Sequence, residues 1–127
     1  MTPSHKFEDM EIWQEARLLV REVRSICRHP NVRKDFTFID QITRAARSIM
    51  YNVAEGAEAQ TNPEFIQFLG YAKRSAGEVR AQLYDALDEQ YIDQETFRKL
   101  KELTEKLGRM IGGFIRYLSA RPSFRNS

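Results

Sequence analysis

The stretch at residues 41–59 constrains the fold more than any other part of the chain. Its apolar side chains recur at alternating steps of four and three residues, at Ile42, Ala46, Ile49 and Val53. This spacing is typical of the buried face of a helix in a bundle. Four small or polar residues lie near the rim of that face, namely Ser48, Asn52, Glu55 and Gly56. The pattern predicts a packed helix, but no chemistry follows from it.

Four segments have the periodicity of amphipathic helices, and none has the alternation of a convincing strand. They run from about 9 to 28, 38 to 59, 63 to 89 and 94 to 119, followed by a loose tail at 120–127. Only a few residues connect the second helix to the third and the third to the fourth, so these neighbours should be antiparallel. We therefore predict one all-α domain over residues 1–127, an antiparallel up-down-up-down four-helix bundle.

Polar residues ahead of the apolar stripes predict where the helices begin. We expect Asp9 to cap the first helix. Thr37 and Asp40 have the spacing of a capping box on the second helix. The third helix should be capped by Thr61 or Asn62.

Composition indicates a globular protein, and the motifs give no reason to expect a metal or a cofactor. The chain is 42% hydrophobic and 30% charged, and no apolar run approaches the roughly 20 residues of a membrane span. The N-terminus lacks the apolar core of a signal peptide, and Cys27 is the only cysteine, so we expect a cytoplasmic location. The only histidines, His5 and His29, form no metal-binding motif, and Cys27 fits a buried structural thiol.

Several motifs resemble those of one known family. Residues 44–49, RAARSI, and 52–56, NVAEG, are similar to the signature of the four-helix-bundle proteins encoded in intervening sequences of 23S ribosomal RNA genes. Further agreement comes from IWQEA at 12–16, from Glu64-Phe65 with Phe68-Leu69, and from AKRSAGE at 72–78.

The resemblance carries expectations about assembly and partners. Family members form ring-like homo-oligomers, which implies a pentamer here. A related group comprises the accessory variability proteins of diversity-generating retroelements, which partner a reverse transcriptase and bind RNA or DNA through basic surfaces. The resemblance therefore implies a non-enzymatic protein that associates with RNA or DNA and with a reverse transcriptase, and we expect no membrane association.

An unusually wide apolar arc at the start of the third helix also predicts self-association. Five of the seven residues from 65 to 71 are apolar or aromatic. They cover an arc of roughly 220°, more than the roughly 100–140° that a core-facing stripe needs. Uncovered apolar surface marks interaction sites, which gives four interface candidates: Phe65, Ile66, Phe68 and Tyr71. The alternative is that these aromatics close the end of the bundle.

Basic residues are unevenly distributed, although the net charge is only +2. No acid follows Glu105, so the C-terminal end is a basic pole that attracts phosphate. Candidate nucleic-acid contacts are Arg44, Arg47, Lys73, Arg74, Arg80, Arg109, Arg116 and Arg121. The alternative is a solubilising face whose cations favour a helix C-terminus.

Polar residues of the second and third helices form a further constellation. Helical spacing predicts a hydrogen-bonded network within or between subunits, formed by Ser48, Asn52, Glu55, Ser75 and Glu78. Arg44 and Arg47 are placed to reach Glu78 across the hairpin. In the fourth helix, Gly108 and Gly112 share a face, which predicts close approach of a neighbouring helix.

One motif supports an alternative enzymatic function. Arg24 and His29 have an Arg-x4-His spacing that resembles the motif of the all-helical HEPN ribonucleases. In such a site, arginine stabilises phosphate charge and histidine moves the proton. The competing interpretation is a helix terminus at which Arg28 and His29 complement the dipole. We predict no catalytic residue in the preferred, non-enzymatic interpretation.

Overall fold

The computed structural model describes residues 6–121, which form four helices after one turn of 3-10 helix at Phe7–Asp9. The helices are α1, Glu11–Cys27; α2, Phe36–Ala57; α3, Asn62–Asp88; and α4, Gln94–Ser119. No strand occurs within the described residues, and the predicted all-α bundle is confirmed. Most of the predicted tail, residues 122–127, lies outside the described part, as does His5.

The helix starts agree with the sequence in two places and differ in two. Thr61 accepts a hydrogen bond from the backbone of Glu64 and completes a capping box, and Asp93 caps α4. The prediction for α2 was wrong, because Asp35 caps the helix by accepting from Phe38 N at 3.1 Å. The prediction for α1 was also wrong. Asp9 belongs to the 3-10 turn, and the N-cap position falls at Met10 without a side-chain cap.

The four helices pack in a square, with each helix beside its neighbours in sequence and α1 also beside α4. Helices α1 and α3 lie across one diagonal, and α2 and α4 across the other. The α1–α2 side of the bundle is therefore opposite the α3–α4 side. No helix within residues 6–121 has both the length and the apolar character needed to cross a membrane.

One continuous apolar core fills the space between the helices, as the stripes predict. Its largest completely buried side chains include Leu19, Ile42, Ile49, Phe65, Leu69, Leu83, Leu100, Leu107 and Ile111. Val32 adds to the core from the connection between α1 and α2, where it is fully buried. Burial of these side chains is the main contribution to stability, because removing apolar surface from water drives folding.

A hydrogen bond joins the α1–α2 connection to the α3–α4 connection at one end of the bundle. Tyr91 donates to Asp35 Oδ2 at 2.6 Å, and its ring packs edge-on against Phe38. The hydrogen bond from Tyr91 is the largest cause that lowers the pKa of Asp35, and the bond from Phe38 N is the second. The bond with Asp35 also raises the pKa of Tyr91 to about 12. Gln90, at φ 63°, ends α3 in the left-handed conformation that turns the chain toward this contact.

Candidate functional site

A basic, open groove of about 620 Å³ runs between α3 and α4. We call it the α3–α4 groove, and it is lined by Lys73, Arg80, Glu105, Gly108, Arg109, Gly112 and Arg116. Four of these residues carry a positive charge and one carries a negative charge. The groove is therefore a local concentration of positive charge on a chain whose net charge is only +2.

The four cations form two matched pairs. Lys73 and Arg80 are seven residues apart on α3, and Arg109 and Arg116 are seven apart on α4. Seven residues are close to two helical turns, so each pair shares a face and spans about 10.5 Å. All four side chains are exposed, and none forms a salt bridge with any residue in the range 6–121. The acid of the groove, Glu105, is paired instead with Lys101 at 3.2 Å.

Two of the three glycines of α4, Gly108 and Gly112, line the groove. A Cβ built at Gly108 would meet no atom within 4 Å, and one at Gly112 would lie 3.4 Å from Lys73 Cε. The predicted close approach of a neighbouring helix at Gly108 was therefore wrong. The glycines leave space between α3 and α4, and the stem of Lys73 lies over Gly112.

Gly108 offers a simple test of this interpretation. Replacing it by alanine should raise the free energy of unfolding by about 0.5–1 kcal/mol, because alanine favours the helix and has open space for its methyl group. Urea denaturation would measure the change. Gly70→Ala is a matched control, since Gly70 is also in a helix without an atom within 4 Å of a built Cβ. Destabilisation by Gly108→Ala would mean that the glycine makes an essential close contact.

The other four basic candidates lie outside the α3–α4 groove. Arg44 and Arg47 belong to α2, where Arg44 is exposed and Arg47 half-buried. Arg74 is exposed on α3 with its guanidinium 5.8 Å from the Tyr71 ring, and Arg121 lies 3.9 Å from the Tyr117 ring. The eight candidates therefore do not form one surface.

Arg44 and Glu78 line the same hollow between α2 and α3. No salt bridge joins either Arg44 or Arg47 to Glu78 in the described structure. The ion pair expected across the hairpin is thus not formed.

Three of the five residues predicted to form a polar network are joined by hydrogen bonds. Ser75 donates to Ser48 Oγ at 2.9 Å, and Asn52 donates to the same oxygen at 3.0 Å and to Ser48 O at 2.8 Å. This chain links α2 to α3 at a half-buried position. Glu55 and Glu78 are exposed, and their side chains form no hydrogen bond or salt bridge with the described residues, so they are not part of the network.

The four interface candidates in the wide apolar arc of α3 differ in how far they are buried. Phe65 is 1% exposed and packs edge-on against Phe114, with ring centroids 5.2 Å apart. It belongs to the core of the chain, so its prediction as an interface residue was wrong. Ile66 packs against the edge of the core. Phe68 is half-buried and Tyr71 is exposed, and their rings pack edge to face with centroids 6.1 Å apart.

The residues of the alternative ribonuclease motif lie at the C-terminal end of α1. Arg24 is exposed on the helix, and His29 is exposed in the turn that follows it. The imidazole of His29 makes no hydrogen bond to any described residue. Within residues 6–121, no three His, Cys, Asp or Glu side chains come together as a metal site.

Comparison with known proteins identifies the family. A family model described as 23S rRNA-intervening sequence protein matches residues 8–113. The chain belongs to this family. Its structure is similar to that of a protein of unknown function from the S23 ribosomal protein family of Bacteroides thetaiotaomicron, with a TM-score of 0.74 and 25% sequence identity. The similarity covers 82% of this chain and 97% of the other. No curated protein matches the sequence.

Membership of the 23S rRNA-intervening sequence family accounts for the fold. It assigns no reaction or partner, since the similar structure is itself described as having unknown function. One row of exposed basic residues was absent from the nucleic-acid contacts predicted from the sequence, although Arg24 was named for the ribonuclease motif. The row consists of Arg17, Arg21 and Arg24 of α1 and of Arg28, which caps the C-terminal end of that helix.

Proposed function

We propose that this protein is a non-enzymatic, cytoplasmic accessory protein that binds the phosphate backbone of RNA or DNA in the α3–α4 groove. The observation that carries the proposal is the convergence of four exposed cations without salt bridges on one groove. Cations that are not neutralised by neighbouring acids are available to replace the counterions of a polyanion.

The chemistry of the groove favours backbone contact over base recognition. Lysine and arginine contact phosphate oxygens without reading sequence. The groove lining contains no aromatic side chain on which a base would stack. Binding should therefore show little sequence preference and should weaken steeply as salt is added.

The test is a fluorescence-anisotropy titration of single-stranded RNA at several salt concentrations. We call the variant with Lys73, Arg80, Arg109 and Arg116 all changed to glutamine the groove variant. Each phosphate contact on a single strand contributes about −0.7 to the slope of log K against log salt. Loss of four contacts should therefore make the slope shallower by up to about 2.8.

A matched control removes four exposed cations that form no salt bridge and lie elsewhere on the surface, by changing Lys6, Arg33, Lys34 and Arg98 to glutamine. It has the same net charge as the groove variant and should retain most of the affinity. Equal losses in both variants would show that only overall charge matters and would contradict the groove. RNA cleavage that disappears in His29→Ala would replace the proposal by the ribonuclease function.

We also propose that the protein functions as a homo-oligomer, with the pentamer implied by the family resemblance as the expected state. The support from the structure is the aromatic pair Phe68 and Tyr71, which is only partly covered within one chain. Exposed aromatic surface of this kind is enriched at subunit interfaces.

Light scattering should give five times the 14.9 kDa chain mass at micromolar concentration. Changing Phe68 and Tyr71 together to glutamine should lower the measured mass toward that of one chain, because the shared apolar contact is lost. Tyr84→Gln is the control, since Tyr84 is also exposed but lies elsewhere on α3. A wild-type protein with the mass of a single chain would contradict self-association.

A reverse transcriptase is the protein partner that we propose from the resemblance to retroelement accessory proteins. The neighbouring genes provide the test. A reverse transcriptase gene with template and variable repeats beside this one would support the partnership. A location inside a 23S ribosomal RNA gene, without such a neighbour, would count against it.

A further inference from the structure

A row of four arginines lies along one flank of α1. The α1 arginine row consists of Arg17, Arg21, Arg24 and Arg28, which follow one another at steps of four, three and four residues. Such steps keep side chains on one face of a helix. Arg28 follows Arg17 by 11 positions, so the row is about 16.5 Å long at 1.5 Å per residue. All four side chains are exposed, and none forms a salt bridge with the described residues.

The acids of α1 are placed on the opposite flank of that helix. Glu15 and Glu22 face α4, where they pair with Lys106 at 3.4 Å and Lys99 at 3.8 Å. The flank toward α2 is marked by the contact between Cys27 and Thr43. Helix α1 therefore separates its charges, with acids toward α4 and arginines on the side of α2.

Arg47 of α2 extends the α1 arginine row sideways. It lies one turn beyond Thr43 on α2, while Arg24 lies about one turn before Cys27 on α1. Because the two helices are antiparallel, both steps lead in the same direction from the Cys27–Thr43 contact. Arg24 and Arg47 are consequently at the same level of the bundle.

Two acids lie on the same side of α2 as Arg47, toward the ends of this surface. Asp40 precedes Arg47 by seven residues, and Glu58 follows it by eleven at the C-cap position of α2. Neither forms a salt bridge with an arginine of the row in the described structure. The middle of the surface therefore stays basic.

The length of the α1 arginine row indicates the kind of partner. A small free anion needs donors that converge on one point, whereas these guanidinium groups are spread over a line of about 16.5 Å. Arginine binds phosphate through two parallel hydrogen bonds. A line of such groups is complementary to the backbone of an extended polyanion.

We propose that the α1 arginine row is a second nucleic-acid-binding surface, and that the protein bridges two strands, one on each side of the bundle. The square arrangement places the row on the side opposite the α3–α4 groove. The choice of nucleic acid as the partner rests on the proposed function. Strand bridging goes beyond it, because it requires both surfaces to be occupied together.

A two-strand capture assay tests the bridge. One RNA is fixed to beads, and a second RNA that is not complementary carries a fluorophore. The protein is added at low salt with Phe68 and Tyr71 changed to glutamine, because an oligomer would bridge two strands through the same surface on two of its chains. We call this double variant the parent protein. The row variant changes Arg17, Arg21, Arg24 and Arg28 to glutamine, and is compared with the groove variant. Both remove four positive charges, so each controls for the net charge of the other.

Glutamine is also a good helix former, and melting followed by circular dichroism verifies that each variant is folded. The double change Arg21→Gln and Arg24→Gln replaces the row variant if the latter unfolds.

The parent protein should retain the fluorescent RNA, and the row and groove changes made in it should each lower this capture about tenfold while a single RNA is still bound with a shallower salt slope. Capture by the row variant at the level of the parent protein would overturn the bridge. If only the groove variant lost single-strand binding, the proposed function would stand and the second surface would be wrong. If only the row variant lost it, the α1 arginine row would stand as a binding surface and the groove would be wrong.

Discussion

Replacing Leu107 by alanine will lower the free energy of unfolding by about 2–5 kcal/mol, as measured by urea denaturation. Leu107 is fully buried in the middle of α4 and belongs to the single apolar core. The substitution removes the transfer free energy of the deleted methyl and methylene groups, and it leaves a cavity that the surrounding helices fill only in part. Leu83→Ala should have an effect of the same size, because Leu83 is equally buried on α3.

Leu18→Ala is the matched control for these two variants. Leu18 lies on α1 with 41% of its surface exposed, so the same chemical change creates no cavity there. Its effect should stay within about 0.5 kcal/mol, the range of ordinary surface substitutions. A cost below that limit for Leu107→Ala would show that this face of α4 is not in the core.

The helices were predictable because their apolar periodicity is a local property of the sequence. The stripe through Ile42, Ile49 and Val53 is buried as the spacing requires. The start of α2 was predicted less well, because Asp35 owes part of its position to Tyr91, which is 56 residues away. Sequence reasoning favoured Thr37, since it weighs only neighbours along the chain.

The residues of the candidate site could be predicted from the sequence, but their position side by side in one groove could not. Lys73, Arg80, Arg109 and Arg116 could be named from the sequence, but their convergence depends on the alignment of α3 with α4. Which aromatic residues of α3 are buried also depends on how α3 packs against α4. Only the contact of Phe65 with Phe114 shows which side of α3 is covered within the chain. The α1 arginine row is different, since its regular steps are visible in the sequence itself.

Gly56 shows how a residue near the rim of a predicted stripe can be sterically required. A Cβ built there would lie 2.7 Å from Phe65 Cδ1 and 3.2 Å from Phe68 Cβ. The ring of Phe65 is held against Phe114 and has little freedom to withdraw. The absence of a side chain at Gly56 therefore lets α2 and α3 approach each other beside this ring.

Replacing Gly56 by alanine should accordingly destabilise the protein by about 1–3 kcal/mol, because the added methyl group overpacks the contact with Phe65. The helix preference of alanine, which is worth at most about 1 kcal/mol, reduces this cost without reversing it. Gly108→Ala is the control for that preference. The same chemical change should stabilise the protein there, since nothing lies within 4 Å of the added atom.

A double-mutant cycle separates the clash with Phe65 from any other effect at Gly56. Phe65→Leu alone should destabilise the protein, because it shortens a buried side chain. In the background of Gly56→Ala the same change removes ring atoms that the new methyl group meets, so part of its cost should be recovered. The two substitutions should therefore couple by about 0.5–3 kcal/mol, with the double variant more stable than the sum of the single effects predicts. Strict additivity would place the strain of Gly56→Ala elsewhere than at the Phe65 ring.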